Sequence, residues 1–342
     1  MTNGNGQTRD HVEVLDAQFR PVIDISPPPT PRKRPVWPAL TLFLLTIVST
    51  LAVGSEFARS YAQGEQPFSQ VENYGQMFVY PLTHPRLLLL GVPFSLTLLT
   101  ILLAHELGHY FACKIYGIDA SYPYFIPAPT LIGTMGAFIR IRSPIANRKA
   151  LFDVGLAGPV VGFLFAVPAL AAAIAYSKVV PGAQGDALLV FGNPPLMKIF
   201  MAVLRPGVTP DNLLLHPVGR AAWVGLFATA LNLLPAGQLD GGHIVYSVAS
   251  EKHRRISLAV VVVLLLLGGP ALLHSMGVAM PRAADYFWPG WAFWGLLLLM
   301  LGFRHPPLLD RWEPLDEKRR AWAVVGLLIF LLCFTPTPFA MH

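Results

Sequence analysis

Charged residues are scarce in this 342-residue sequence. They make up 13% of the chain, whereas 54% of the residues are hydrophobic. Soluble domains carry about 25% charged residues, so this composition argues against a soluble protein and indicates a lipid-facing surface. Cysteine is scarcer still. Cys113 and Cys333 are far apart at the ends of apolar segments, which argues against a disulfide framework or a cysteine zinc site and favours buried apolar residues.

The excess of positive charge, formally +6, does not indicate a nucleic-acid partner. The lysines and arginines occur in short runs between apolar segments, and no aromatic-interleaved basic patch is present. Residues 1–36 are rich in proline and carry mixed charges, which predicts a disordered cytoplasmic tail. A signal peptide is not expected because the first apolar run begins only near Pro38.

Seven segments are apolar and close to the length of about 20 residues that a membrane span needs. We therefore expect an all-α polytopic membrane protein. The segment 217–236 is the weakest candidate because it contains Arg220, Asn232 and Pro235, and residues 194–204 suit a short interfacial or re-entrant helix. The seven candidates are residues 37–54, 87–113, 151–177, 217–236, 256–274, 287–303 and 320–337.

The distribution of basic residues predicts the orientation in the membrane. If the N-terminus is inside and the seven spans alternate, most of the 25 lysines and arginines lie in inside segments. Cytoplasmic loops carry such an excess of positive charge. The sequence therefore predicts a cytoplasmic N-terminus and an external C-terminus.

The second apolar segment contains the sequence HELGH at residues 105–109. Positions i and i+4 share one face of a helix, so His105 and His109 can bind one metal ion. Glu106 can then reach a water molecule at that ion. Two histidines and an adjacent glutamate in this spacing are typical of zinc hydrolases, with the glutamate as general base.

A catalytic zinc site usually has three protein ligands, so one more is expected. Asp240 is the strongest candidate. It follows an apolar segment, and Pro235, Gly237, Gly241 and Gly242 break or bend the chain around it. Non-helical backbone at membrane depth is tolerated where it lines a cavity. His243 is the rival ligand. Asp153 suits an interfacial residue or a helix-entry charge better than a metal ligand.

Two sets of motifs resemble a known family. HELGH followed downstream by LDGGH at residues 239–243, after the Asn232-Leu-Leu-Pro235 sequence, is similar to the site-2 protease family of intramembrane zinc metalloproteases. The sequences PYFIP (123–127), GTMG (133–136) and IRIRSP (139–144) resemble the branch that lacks a PDZ domain and includes plant chloroplast proteases and bacterial relatives. The segment 178–216 is too short for a PDZ domain.

The resemblance implies an enzyme with one zinc ion per chain and Asp240 as the third ligand. It also implies that Asn232 helps to hold the substrate or the oxyanion, although a helix–helix hydrogen bond would equally explain this residue. Residues 133–144 would form a re-entrant loop or β-hairpin beside the active site, the alternative being an ordinary cytoplasmic hairpin. A transmembrane protein within the lipid bilayer would be the substrate.

The domain organisation expected from these patterns has four parts. After the tail come a first span and external segment (37–86), a metalloprotease core (87–250) and C-terminal spans (251–342). We expect an integral membrane location, in the bacterial plasma membrane because the N-terminal region is short. A zinc transporter, a catalytically silent scaffold and a prenyl-protein peptidase are the competing classes. The sequence does not identify the substrate or the oligomeric state.

Overall fold

The computed structural model describes residues 35–68, 74–182, 189–281, 286–303, 305–306, 308, 310 and 313–341. Contacts divide the chain into Met1–Val36 and Trp37–His342. All helices and strands given below belong to the second unit. The predicted disordered tail falls, except for residues 35–36, outside the described residues.

The described part of the chain is mainly helical, as its composition predicted, and has ten α-helices. Two shorter 3-10 turns occur at Leu89–Gly91 and Pro210–Asn212. The helices are α1 (Trp37–Gln63), α2 (Tyr74–Thr83), α3 (Pro85–Leu88), α4 (Val92–Ile115), α5 (Arg148–Tyr176), α6 (Pro195–Leu204), α7 (Pro217–Asn232), α8 (Asp240–Ser275), α9 (Gly290–Leu301) and α10 (Glu317–Cys333).

Four helical segments in the described residues are long and apolar enough to cross a membrane: 37–63, 85–115, 148–176 and 240–275. Each contains or overlaps a predicted span. The predicted number of seven is not confirmed, because α7, α9 and α10 are helical but have only 16, 12 and 17 residues. Helix α6 forms where a short helix was predicted. Helix α2 was not predicted.

Three small antiparallel sheets accompany the helices in the described chain. The first is a hairpin in which Tyr124 pairs with Phe138 and Pro127 with Thr134. Its strands are β1 (Tyr124–Pro127) and β2 (Thr134–Phe138), and the other pairs are β3 (Lys178–Val179) with β5 (Leu213–Leu214) and β4 (Leu189–Phe191) with β6 (Phe339–Met341).

Helix α4 lies at the centre, packed against α5 and α7, and α8 packs against α5 and α9. Helices α4 and α5 approach closely because Gly108 of α4 has no side chain. A Cβ added there would lie 2.6 Å from the carbonyl oxygen of Ala157 in α5. Helices within lipid gain little from the hydrophobic effect, so such close packing holds them together. The result is a helical frame that fixes α4 on two sides.

Helix α1 packs against both α4 and the β1–β2 hairpin. The hydroxyl of Ser49 donates a hydrogen bond of 2.6 Å to the carbonyl oxygen of Gly133, in the hairpin turn. The rings of Phe43 and Phe125 lie 4.8 Å apart. Gly133 has φ +78°, and an added Cβ would lie 2.7 Å from the carbonyl oxygen of Ser49. Helix α1 therefore fixes the hairpin turn, which needs glycine at this point.

Candidate metal centre

The HELGH residues lie in the second half of α4, where the two histidines and the glutamate are almost completely buried. His105, Glu106 and His109 are 5%, 5% and 7% exposed. The Nε2 atoms of the two histidines lie 3.1 Å apart. The helical spacing of four residues thus places both imidazoles on one face, as the sequence predicted.

Asp240 completes a group of three residues whose side chains could hold a metal ion. Its Oδ2 atom lies 3.3 Å from Nε2 of His105 and 3.3 Å from Nε2 of His109. Asp240 is the first residue of α8, and a short non-helical connection after α7 delivers it to this position. A break in the helices, rather than a continuous span, therefore brings the carboxylate to α4.

The donor atoms fit a cation by their chemistry. Nδ1 of His109 lies 2.7 Å from the carbonyl oxygen of Val154 and must donate to it, so Nε2 of the neutral ring carries a lone pair. Oδ2 of Asp240 is buried and, among the described residues, has no hydrogen-bond partner. Acceptor atoms so close together repel each other unless a metal ion or a proton lies between them.

The spacing of the donor atoms is compatible with zinc. Zn–N and Zn–O bonds of about 2.0–2.2 Å at tetrahedral angles place neighbouring ligand atoms about 3.3–3.6 Å apart. The three observed separations, 3.1, 3.3 and 3.3 Å, are close to this range. The three side chains could therefore bind one zinc ion together.

Three glycines of α5 make room for histidine side chains that line the cleft. A Cβ added to Gly158 would overlap the ring of His109, and one added to Gly162 would lie 3.1 Å from Nδ1 of His105. A Cβ at Gly155 would lie 2.8 Å from Cβ of His243. The neighbours of these glycines show that the histidine side chains occupy the space they leave.

The connection between α7 and α8 is held by residues that the sequence interpretation missed. The backbone N–H of Gly237 donates to Oγ of Ser257 at 3.2 Å, and Nε2 of His253 lies 3.1 Å from the carbonyl oxygen of Gly237. Gly237 has φ +56°. His253 and Ser257 stand outside the recognised motifs and lie 16 and 20 positions after Gly237. Their contacts with Gly237 are therefore visible only in the folded structure.

Two other candidate ligands lie apart from the group of three. His243 lines the same cleft, but its Nδ1 contacts Nε2 of His305 at 2.8 Å. Asp153 forms a hydrogen bond with Tyr116 and accepts from Nε of Arg319 at 2.8 Å. This agrees with the interpretation of Asp153 as a charge near a helix start.

The cleft that contains these residues has a volume of about 210 Å³. Asn232 lies within it, with Nδ2 3.2 Å from Nε2 of His105. Glu106 also lines the cleft, and Ala137–Ile139, at the end of β2, form another part of its wall. A hairpin thus lies beside the candidate site, although its strands are Tyr124–Pro127 and Thr134–Phe138, whereas the prediction was for residues 133–144. Its depth in the membrane stays a prediction.

Comparison with known proteins decides the family. The model of peptidase family M50 matches residues 93–273, more than half of the chain. This chain belongs to peptidase family M50. The resemblance to site-2 proteases inferred from the motifs is thereby confirmed. The M50 match includes α4, α5, α7 and α8, which carry the candidate metal centre.

Similar curated proteins carry related names. The probable zinc metalloprotease EGY1, chloroplastic, of Arabidopsis thaliana is 32% identical over 87% of this chain and 52% of its own length. The probable zinc metalloprotease EGY2, chloroplastic, of the same plant is 30% identical over 73% and 42%. The chain thus spans about half the length of the curated relatives it matches. With its apolar helices, this M50 member is an integral membrane protein.

Proposed function

We propose that this chain is an intramembrane zinc metalloprotease that hydrolyses peptide bonds of membrane proteins within or near the bilayer. The proposal rests on one observation. Asp240 of α8 meets His105 and His109 beside Glu106, and the two histidines and the glutamate belong to the long apolar helix α4. A charged residue at membrane depth costs about 2.5–3.5 kcal/mol on insertion scales, so a glutamate there indicates function. The names of the M50 relatives support zinc and proteolysis.

We assign one zinc ion per chain to the side chains of His105, His109 and Asp240. Three protein ligands are the number typical of catalytic zinc sites, which keep a further position open. When bound, zinc supplies the Lewis acidity that makes water nucleophilic near neutral pH and polarises a carbonyl group.

Glu106 is the proposed general base. Its carboxylate takes a proton from the attacking water, and the same carboxyl group then gives a proton to the nitrogen of the leaving amine. Asn232 lies at the edge of the metal group. Its amide N–H can donate to the oxyanion or hold the substrate carbonyl in place.

The substrate must present an unwound backbone, because the carbonyl groups of a transmembrane helix are already hydrogen-bonded and shielded. Strand β2 pairs with β1 alone among the described strands, and its end lines the cleft. An extended peptide could add to the other edge of β2 by strand addition. We therefore expect substrates with helix-breaking residues to be cut faster than variants in which leucine replaces glycine or proline.

We further propose that α7, α9 and α10 also cross the membrane, which gives seven spans with a cytoplasmic N-terminus. Local thinning of the bilayer and snorkelling of flanking side chains allow shorter helices to do so. HELGH lies in the second half of α4, so water would enter from the cytoplasmic side. The bacterial plasma membrane is the proposed location. The names of the relatives place those proteins in chloroplasts.

Cleavage of a purified single-span substrate tests the proposed activity. Wild-type protein should cut it, whereas Glu106→Gln should bind zinc and leave the substrate intact. A transporter would instead move zinc into sealed vesicles. It would cleave no substrate, so wild type and Glu106→Gln would not differ in cleavage. Zinc flux without proteolysis across a panel of single-span substrates would contradict the proposal.

A further inference from the structure

His243 lies in the catalytic cleft but is not one of the three candidate ligands. Its Nδ1 is 2.8 Å from Nε2 of His305, a residue beyond α9 and outside the 93–273 family match. His243 lines the cleft together with Glu106 and Asn232. Neither the metal site nor the proposed proton transfer uses this histidine pair.

The hydrogen bonds of the pair define which nitrogen atoms carry protons. Nδ1 of His305 lies 2.7 Å from the carbonyl oxygen of Pro306. A carbonyl oxygen only accepts, so Nδ1 of His305 carries a proton and Nε2 of the neutral ring is an acceptor. Nδ1 of His243 must therefore be the donor to His305. The remaining nitrogen of His243, Nε2, is left with a lone pair.

Packing holds both rings in this arrangement. The ring of His305 stacks on Tyr246 with centroids 4.2 Å apart and an interplanar angle of 20°. The backbone N–H of His243 bonds to the carbonyl of Leu239 at 2.9 Å. Cβ of His243 lies against Gly155, where an added Cβ would be only 2.8 Å away. These contacts fix the backbone and Cβ of His243, and its ring lies edge-on to the ring of His305 with centroids 5.0 Å apart.

An unwound substrate brings backbone N–H groups into the cleft, and each of them needs an acceptor. Nε2 of both His105 and His109 and Oδ2 of Asp240 point at the metal position. Glu106 is occupied by proton transfer in the proposed mechanism. Nε2 of His243 is an acceptor that remains.

We propose that His305 is a positioning residue. It holds His243 in the Nδ1–H tautomer, so that Nε2 of His243 accepts a hydrogen bond from a backbone N–H of the extended substrate. This inference rests on the proposed proteolytic function. It adds a substrate-binding residue, His243, and a residue that acts through it, His305.

Two substitutions of His305 separate the hydrogen bond from the packing. His305→Phe keeps a ring to stack on Tyr246 but removes the acceptor. His305→Gln loses the ring, yet its amide oxygen can replace Nε2 as the acceptor. An ordinary packing role would therefore favour the phenylalanine variant, whereas the proposed role favours the glutamine variant.

Kinetics provide the first measurement. Because a backbone hydrogen bond to the substrate forms before the chemical step, His305→Phe should raise KM for a single-span substrate about three- to tenfold with kcat nearly unchanged. His305→Gln should stay within about twofold of wild-type KM. Zinc content should be the same in all three proteins.

Nitrogen-15 NMR of histidine-labelled protein provides the second measurement, which does not depend on activity. The His243 signal, identified by its loss in His243→Asn, should show the Nδ1–H tautomer in wild type and in His305→Gln. In His305→Phe both tautomers should appear. An unchanged tautomer in His305→Phe, or an unchanged KM, would overturn the proposal. Failure of the wild type to cleave any substrate would instead contradict the proposed function, while the tautomer spectra would still test His305.

Discussion

Gly158 of α5 faces the imidazole of His109 so closely that a Cβ at this position would overlap Nε2 of the histidine. The same imidazole donates through Nδ1 to the carbonyl oxygen of Val154, one turn earlier in α5. Helix α5 therefore orients His109 by a hydrogen bond and also leaves the space for its ring. Partners of this kind fix both the tautomer and the direction of a metal-binding histidine.

Gly158→Ala should weaken zinc binding, because the added methyl group must displace the His109 ring. Partners that orient a ligand change metal affinity by about 10- to 100-fold when altered, and we expect a loss of at least that size. Zinc per chain and competition with a chelator measure it. The control is Gly269→Ala in α8, where an added Cβ has no neighbour within 4 Å. Equal zinc affinity in the two variants would contradict this role of Gly158.

Gly133→Ala should disturb the hairpin against α1. The substitution is strained at φ +78°, and its Cβ would press on the backbone of Ser49 and Thr50 at 2.7–2.9 Å. We expect a severalfold rise in KM, since the end of β2 lines the cleft, with zinc content unchanged.

Gly136→Ala is the matched control for this prediction. Gly136 also has positive φ, +97°, but an added Cβ has no neighbour within 4 Å. It therefore carries the same kind of backbone strain without the contact with α1. If both variants raised KM equally, strain in the hairpin would be the cause and α1 would have no part in it.

His216 should make stability depend on pH. Its Nδ1 accepts a hydrogen bond of 3.2 Å from the N–H of Val218 at the start of α7, and burial lowers the pKa of His216 below its ordinary value. Below about pH 6.5 the unfolded chain therefore binds a proton that the folded protein does not, so stability falls as pH decreases.

Thermal unfolding measures the effect of His216. Tm should fall between pH 7.5 and 5.5 in wild type, and should fall less in His216→Asn, whose side chain can still cap the helix but does not titrate. An identical decrease in both proteins would show that other groups cause the pH dependence.

The sequence predicted the helical fold and the positions of the main elements well, because apolar segments of spanning length have few alternative structures. It also predicted that His105 and His109 share one face, because the i, i+4 spacing fixes this on a helix. The glycine-rich break made Asp240 the strongest candidate for the third ligand, and the family resemblance implied that role. The sequence left His243 open as a ligand, because its contact with His305 joins residues 62 positions apart. Helix lengths of 12–17 residues in α7, α9 and α10 could not be obtained from hydropathy, which does not mark where a helix ends inside an apolar segment.

The most direct test of the central claim measures zinc per chain and substrate cleavage together, in wild type, Glu106→Gln and Asp240→Asn purified in detergent without chelators. We predict about one zinc per wild-type chain, because catalytic sites of this kind hold a single ion with three protein ligands. Cleavage should be lost in both variants, and zinc should be weakened mainly by Asp240→Asn, whose side chain is a proposed ligand. Wild-type protein free of zinc, or cleavage that survives Glu106→Gln, would contradict the assignment of this site as a zinc protease centre.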